Sequence, residues 1–184
     1  ILDGIGPGGI ITTNNKNLYN KLLQLRDYGR RERPKKWPVK SYIVGYNSKM
    51  SSINAAVLNI RLKKLNEYID LRNRNAEIYK EILITKKIKI QHTLHEAKSA
   101  WRNFTIRVKN RDKVFDKLNS INSLVKLSYI PPNHMDKCYK NSKYSYDLRI
   151  TEKTSSEIIN LPCHQYMTPN NIKDLSKNVL RLIK

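Results

Sequence analysis

The feature that most constrains the fold is a run of more than thirty residues after Gly45-Tyr46-Asn47 that contains no Gly or Pro. Ile53, Val57 and Ile60 recur at helical spacing, as do Leu58, Leu62, Leu65 and Ile69, so the pattern predicts one long helix over 51–83. Ser51 or Ser52 can accept from the first free amides as its cap. At about 1.5 Å per residue the helix would be roughly 45 Å long, enough to run from one domain to another. A helix start gathers unpaired N–H groups and partial positive charge, which suits a phosphate. The bland reading of Gly45-Tyr46-Asn47 is a turn and nothing more.

Shorter elements flank this run. "GGIITTN" (Gly8 to Asn14) has the pattern of a short apolar strand. Leu18, Leu22 and Leu25 share the face of an amphipathic helix that Gly29 stops. The proline- and charge-rich segment Arg30 to Val44 reads as a surface loop. Beyond the long helix, "NFTIRV" (Asn103 to Val108) alternates as a half-buried strand does. "NRDKVFDKLNSI" offers Asn110 or Asp112 as a cap over a stripe of Val114, Phe115 and Leu118. "SLVKLSYI" (Ser123 to Ile130) reads as a second strand, broken by Pro131-Pro132, and Tyr139 to Ser156 as loop with a helical turn or two. "IINLPCHQYM" is a short strand leaving through Pro162, and the closing helix starts at Pro169 under a Thr168 cap. Strand, helix, strand, strand, helix makes a small α/β layer.

A net charge of +21 over 184 residues raises nucleic acid or an anionic surface as a partner. The basic residues are spread along the chain, with local density in "RRERPKKWPVK" (Arg30 to Lys40) and "KKIK" (Lys86 to Lys89). Apart from Trp37, aromatic residues do not interleave with these runs as a stacking platform requires, which argues against nucleic acid. A general bias toward Lys in a chain also rich in Asn and Ile is the alternative. Cys138 and Cys163 form no C-x-x-C pair and fit a reducing, cytoplasmic setting. His134, Cys138, Cys163 and His164 lack either standard zinc spacing. No apolar run is long enough to span a bilayer, and no signal peptide is evident. The chain opens on Ile inside a Gly-rich turn and is expected to be a piece of a longer one.

The motifs occur in a telling order. Gly4-Ile5-Gly6-Pro7-Gly8-Gly9 with Thr12 comes first, then Leu25-Arg26-Asp27-Tyr28-Gly29, then Gly45-Tyr46-Asn47-Ser48-Lys49-Met50-Ser51. Arg111 through Tyr129, Pro131, His134 and Tyr139 follow, and Leu161-Pro162-Cys163-His164 precedes the last helix. Together they resemble the DegT/StrS family of sugar aminotransferases over nearly the whole chain. Two departures stand out. Pro7 stands where the family has Asp or Glu, which bears on hydrogen bonding in the turn. Lys49 stands where it has Arg, keeping a cation but losing the planar fork.

The resemblance implies an aspartate-aminotransferase-like pyridoxal-phosphate fold, α/β in class. Residues 1–50 would be the C-terminal remnant of the large cofactor-binding domain, 51–83 the long interdomain helix and 84–184 the small C-terminal α/β domain. It implies pyridoxal 5'-phosphate as cofactor, a nucleotide-linked keto-sugar as substrate, an amino acid as donor and a homodimer. Asn47 would reach the cofactor phosphate of the partner subunit, and Tyr129 and His134 would meet the sugar nucleotide. The Schiff-base lysine, eight residues before Gly8 in the family, would fall just before Ile1, so the 184 residues alone are expected to be inactive. A sugar dehydratase, with histidine in place of that lysine, and a non-catalytic regulator of the same family are the alternatives. A basic nucleic-acid binder is the outside reading. His164 is read as structural. The Arg30–Lys40 loop could meet a diphosphate or be a solvated charge run.

Overall fold

The computed structural model describes residues 2–31, 38–85, 87–121, 123–139 and 147–183. Most of the basic loop at 32–37, Lys86 of the "KKIK" run and 140–146 lie outside them. The chain divides into two compact units, Leu2–Leu65 and Asn66–Lys184.

The first unit holds helix α1 (Lys16–Arg26) and helix α2 (Ser52–Lys63). Asn15 caps α1 by accepting from the Leu18 amide, and Ser51 caps α2 by accepting from the Asn54 amide. Gly29 ends α1 as expected: its amide donates to the Gln24 carbonyl at 2.8 Å, and at φ +74° it takes the left-handed conformation that only Gly adopts freely. The expected strand at Gly8–Asn14 is absent. It has no partner strand among the described residues, and Ile10 and Ile11 remain largely exposed. All the buried hydrophobic side chains among the described residues belong to the second unit.

The long helical run is two helices. Lys64 sits at φ −100°, ψ 4°, and its amide turns back to Arg61 and Leu62. Helix α3 (Leu65–Leu83) then begins and ends where the pattern fades.

The second unit is built on a three-stranded antiparallel sheet in the order β1 (Lys89–Ile90), β2 (Asn103–Arg107), β3 (Ile158–Pro162). Asn103 stands opposite Pro162 and Arg107 opposite Ile158. The alternation in β2 buries Phe104 and Ile106 completely. Helices α4 (Arg111–Ser120), α5 (Arg149–Glu157) and α6 (Pro169–Ile183) complete the layer. Val114 and Leu118 from α4, Ile172, Leu175 and Val179 from α6, and Ala76, Tyr79 and Leu83 from α3 share one core with the sheet. Each large apolar side chain so buried contributes about 1.5–3 kcal/mol. Tyr79 stacks on Phe104 at 4.8 Å, and Trp101 leans on the same ring at 5.4 Å.

Two expectations fail here for local reasons. Ser123–Ile130 makes only a single bridge, Lys126 to Asn160, because Leu124 and Tyr129 adopt left-handed φ of 52° and 65° and bend the chain off the sheet. Asn110 is the residue before α4 but makes no side-chain cap. Thr168 does cap α6, accepting from the Asn171 amide at 3.2 Å.

One face of α3 holds the exit of β3. Tyr79 Oη donates to the Pro162 carbonyl at 2.9 Å and Asn75 Nδ2 to the His164 carbonyl at 2.9 Å. The buried Arg72 donates to Gln165 Oε1 at 3.0 Å, the Trp101 carbonyl at 3.1 Å and the Cys163 carbonyl at 3.4 Å. The spacing 72, 75, 79 places all three on adjacent turns of one helix face. His164 thus lends its backbone to the fold. Its imidazole is held below the usual range by burial first and the Arg72 charge second.

Candidate functional site

In the first unit the Leu25–Gly29 segment and Gly45-Tyr46-Asn47 are tied together by backbone bonds. The Tyr46 amide donates to the Leu25 carbonyl at 2.7 Å, the Tyr28 amide to the Tyr46 carbonyl at 3.0 Å and the Ser48 amide to the Arg26 carbonyl at 3.0 Å. Asn47 faces Asp27 in this ladder. It is exposed, and its amide group has no hydrogen-bond partner among the described residues. A turn fixed on both sides that presents a free neutral amide beside a helix start can donate to an anion without adding charge. That donor suits an oxyanion such as a phosphate.

Lys49 is committed elsewhere: its Nζ donates to Asp27 Oδ1 at 2.8 Å. That bond leads the causes holding the Asp27 carboxyl below its ordinary range. Lys49 therefore serves as a single-point brace between two motifs.

Asn54, in the first turn of α2, was not singled out by the sequence pattern. It is buried, its Oδ1 accepts from the Ile5 amide at 3.0 Å, and its Nδ2 donates to the carbonyls of Gly6 and Pro7 at 3.1 and 3.3 Å. One side chain thereby holds three consecutive backbone residues of the Gly-rich turn, Ile5 to Pro7. The available signal was a lone Asn among apolar residues at a helix start, where low helix propensity asks for a reason.

In the second unit Tyr129 and His134 line one cavity of about 670 Å³ with Pro132, Thr151, Thr154 and Ile158. Tyr129 is 72% exposed, so its ring stands at the surface. His134 lies in a short 3₁₀ turn, and its Nε2 donates to Glu152 Oε1 at 3.1 Å, since an ionised carboxylate only accepts. Glu152, on α5, is a partner the sequence did not suggest. The two residues named from sequence are brought together, and Asn47 belongs to the other unit. No cluster of three metal-ligating side chains occurs among the described residues.

Residues 2–180 match the DegT/DnrJ/EryC1/StrS aminotransferase family. The chain belongs to that family. A dTDP-3-amino-3,6-dideoxy-alpha-D-galactopyranose transaminase of Aneurinibacillus thermoaerophilus is 28% identical over 174 residues, 95% of this chain and 46% of that protein. A UDP-2-acetamido-2-deoxy-3-oxo-D-glucuronate aminotransferase of Pseudomonas aeruginosa is 27% identical, over 91% of this chain and 45% of its own length. A DegT DnrJ EryC1 StrS aminotransferase from Brucella abortus superposes with a TM-score of 0.85 at 26% identity, over 93% of this chain and 45% of its own. The chain thus spans about half the length of the DegT/DnrJ/EryC1/StrS relatives it matches, and it has the mixed helix-and-sheet fold of that part of them. Among the described residues no helix is long and apolar enough to cross a membrane.

Proposed function

We propose that this chain is the C-terminal part of a pyridoxal-phosphate-dependent aminotransferase that moves an amino group from an amino acid to a nucleotide-linked keto-sugar. The observation that carries the reading is the family match over residues 2–180, with its motifs in order along the chain. Residues 1–50 are then the end of a large cofactor domain and 84–184 the small domain. The exposed Ile10, Ile11, Val44, Ile53 and Ile60 support this, since the first unit presents apolar surface that a larger domain or a second subunit would cover.

In this reading Asn47 donates to the cofactor phosphate of the partner in a cytoplasmic homodimer, and the Asn54 clamp keeps the Gly-rich turn in place. Tyr129 offers a ring and a hydroxyl to the sugar nucleotide. Glu152 fixes the orientation of the His134 ring through Nε2, which leaves Nδ1 facing away from that bond for the sugar nucleotide. The pyridoxal group, when bound, supplies the electron sink that makes amino transfer possible. In this reading the 184 residues by themselves are inactive, because the family resemblance puts the Schiff-base lysine outside them.

The full-length protein, supplied with glutamate and a panel of dTDP-, UDP- and GDP-linked keto-sugars, is expected to yield an amino sugar detectable by mass spectrometry. Dehydration of a sugar without nitrogen transfer would favour the dehydratase reading, and neither product would overturn both.

A further inference from the structure

A second cavity, of about 630 Å³, lies wholly within residues 87–183 of the second unit. Lys89 enters it from β1, with Lys87 just before that strand. Arg107 comes from β2 and Lys109 from the residues after it. Helix α4 adds Lys113 and Lys117, and α5 adds Lys153 and Glu157. Val108, Val114, Leu182 and Ile183 form an apolar lining.

Seven of the thirteen lining residues are Lys or Arg, against 36 in 184 for the whole chain, so the concentration exceeds the general basic bias. Among the described residues Glu157 is the one acid in the lining, and it is already taken: Arg107 Nη2 and Nε donate to its Oε2 at 2.6 and 3.0 Å. Its carboxyl is held low first by that hydrogen bond, with the charges of Arg107, Lys153 and Lys89 acting in the same direction. Lys113 and Lys117 stand four apart on α4 and so share one helix face, while Asp112 and Asp116 of the same helix are not in the lining. These cations arrive from four elements and converge on one hollow. A solvated charge run would instead occupy one face of one helix.

We propose that this hollow binds a compact polyphosphate anion. The concave shape and its size, within the usual range for small-ligand sites, favour a small multivalent ion over an extended strand. Among the described residues no aromatic side chain lines it to stack bases, which disfavours nucleic acid. The chemistry is shared by free polyphosphate and by the triphosphate tail of a nucleotide. The inference does not rest on the aminotransferase reading, since no residue assigned there lines the hollow.

The test is calorimetric titration of the full-length protein with inorganic tripolyphosphate at about 0.15 M salt, where the Debye length of about 8 Å screens diffuse attraction. Saturable binding at one site per chain is expected. The variant K109Q/K113Q/K117Q should weaken it at least about tenfold, and K16Q/K21Q/K173Q, which removes the same charge elsewhere, by less than about twofold. Glutamine keeps helix propensity, and K89Q/K153Q, on two other elements, should reproduce the loss. ATP binding as tightly while adenosine does not compete identifies the phosphate chain as the recognised group and supports the site. Equal weakening by the cavity and control variants, no saturable binding, or tighter binding of a 20-mer duplex lost equally in both, would overturn it.

Discussion

Gly45 packs backbone-on-backbone against Gly29: a Cβ at Gly45 would stand 2.1 Å from the Gly29 amide nitrogen and 2.7 Å from the Tyr28 carbonyl carbon. Gly29 in turn leaves a Cβ no room, since it would lie 1.7 Å from the Ile43 carbonyl oxygen. Side chains can swing away from such contacts, but backbone cannot do so cheaply. This contact is what fixes Asn47 relative to the end of α1.

Gly45→Ala in the full-length protein is therefore expected to cost roughly 3 kcal/mol, at the upper end for a single substitution. Gly29→Ala should cost a similar amount. The double variant should lose less than the sum, because either methyl alone already forces the two segments apart. Urea unfolding of the four proteins measures this, and strictly additive losses would show that the glycines act independently.

Arg72 is a buried cation held by neutral oxygens. Arg72→Ala leaves several buried acceptors around 101–102 and 163–165 with fewer donors, at about 1–3 kcal/mol for each one left unpaired. A loss of roughly 3 kcal/mol or more is expected in urea unfolding. A change under about 1 kcal/mol would mean that water replaces the guanidinium at no cost.

Stability should fall on the alkaline side. Burial pushes the Cys163 thiol up to about 12, partly opposed by the Arg72 charge. Burial also raises the Tyr79 phenol, with Cys163 adding to the rise. Between about pH 9 and 12 the unfolded chain has released protons that the folded chain still holds, so the folded state binds more protons and stability drops as pH rises. This contribution is complete below about pH 9. Melting temperatures from pH 7 to 11 should show the decline, and Tyr79→Phe with Cys163→Ala should flatten it. An unchanged slope in the double variant would assign the decline to other groups.

Much of this is legible in the sequence wherever one local cause dominates. Ser51 and Thr168 could be read as caps and Gly29 as a stop, because a capping oxygen or a left-handed residue acts within a few positions of itself. The strand at 103–107 could be read because its alternation reports burial on one face. The break at Lys64 carries no Gly or Pro signal. The strand expected at 123–130 failed at Leu124 and Tyr129, whose left-handed backbone carries no composition cue. The roles of Asn54 and Glu152 are not legible in the sequence because they depend on partners 48 and 18 positions away, a distance that periodicity does not sense.

Asn47→Ala should weaken cofactor retention in the full-length protein. A hydrogen bond to a charged group is worth roughly 1.5–3 kcal/mol, so affinity for pyridoxal phosphate should fall by about tenfold or more. Because the Asn47 side chain has no bond within the described fold, its loss should leave thermal stability without cofactor nearly unchanged. Equilibrium dialysis gives the affinity, and an unchanged value would reduce Gly45-Tyr46-Asn47 to a turn.

If Asn47 serves the partner's site, two defective proteins should complement each other. One carries Asn47→Ala, and the other lacks the essential lysine that the family resemblance puts before Ile1. In a mixed dimer, the site with an intact lysine takes its Asn47 from the lysine-less subunit, so one of the two sites is whole. With equal amounts and random pairing, half the dimers are mixed and half their sites are complete. Activity should therefore return to about a quarter of wild type per total subunit. The comparison is with the average of the unmixed proteins, so a partial defect in Asn47→Ala still leaves it readable. Activity at or below that average, once subunit exchange is verified, would show that Asn47 acts within its own subunit or not at all.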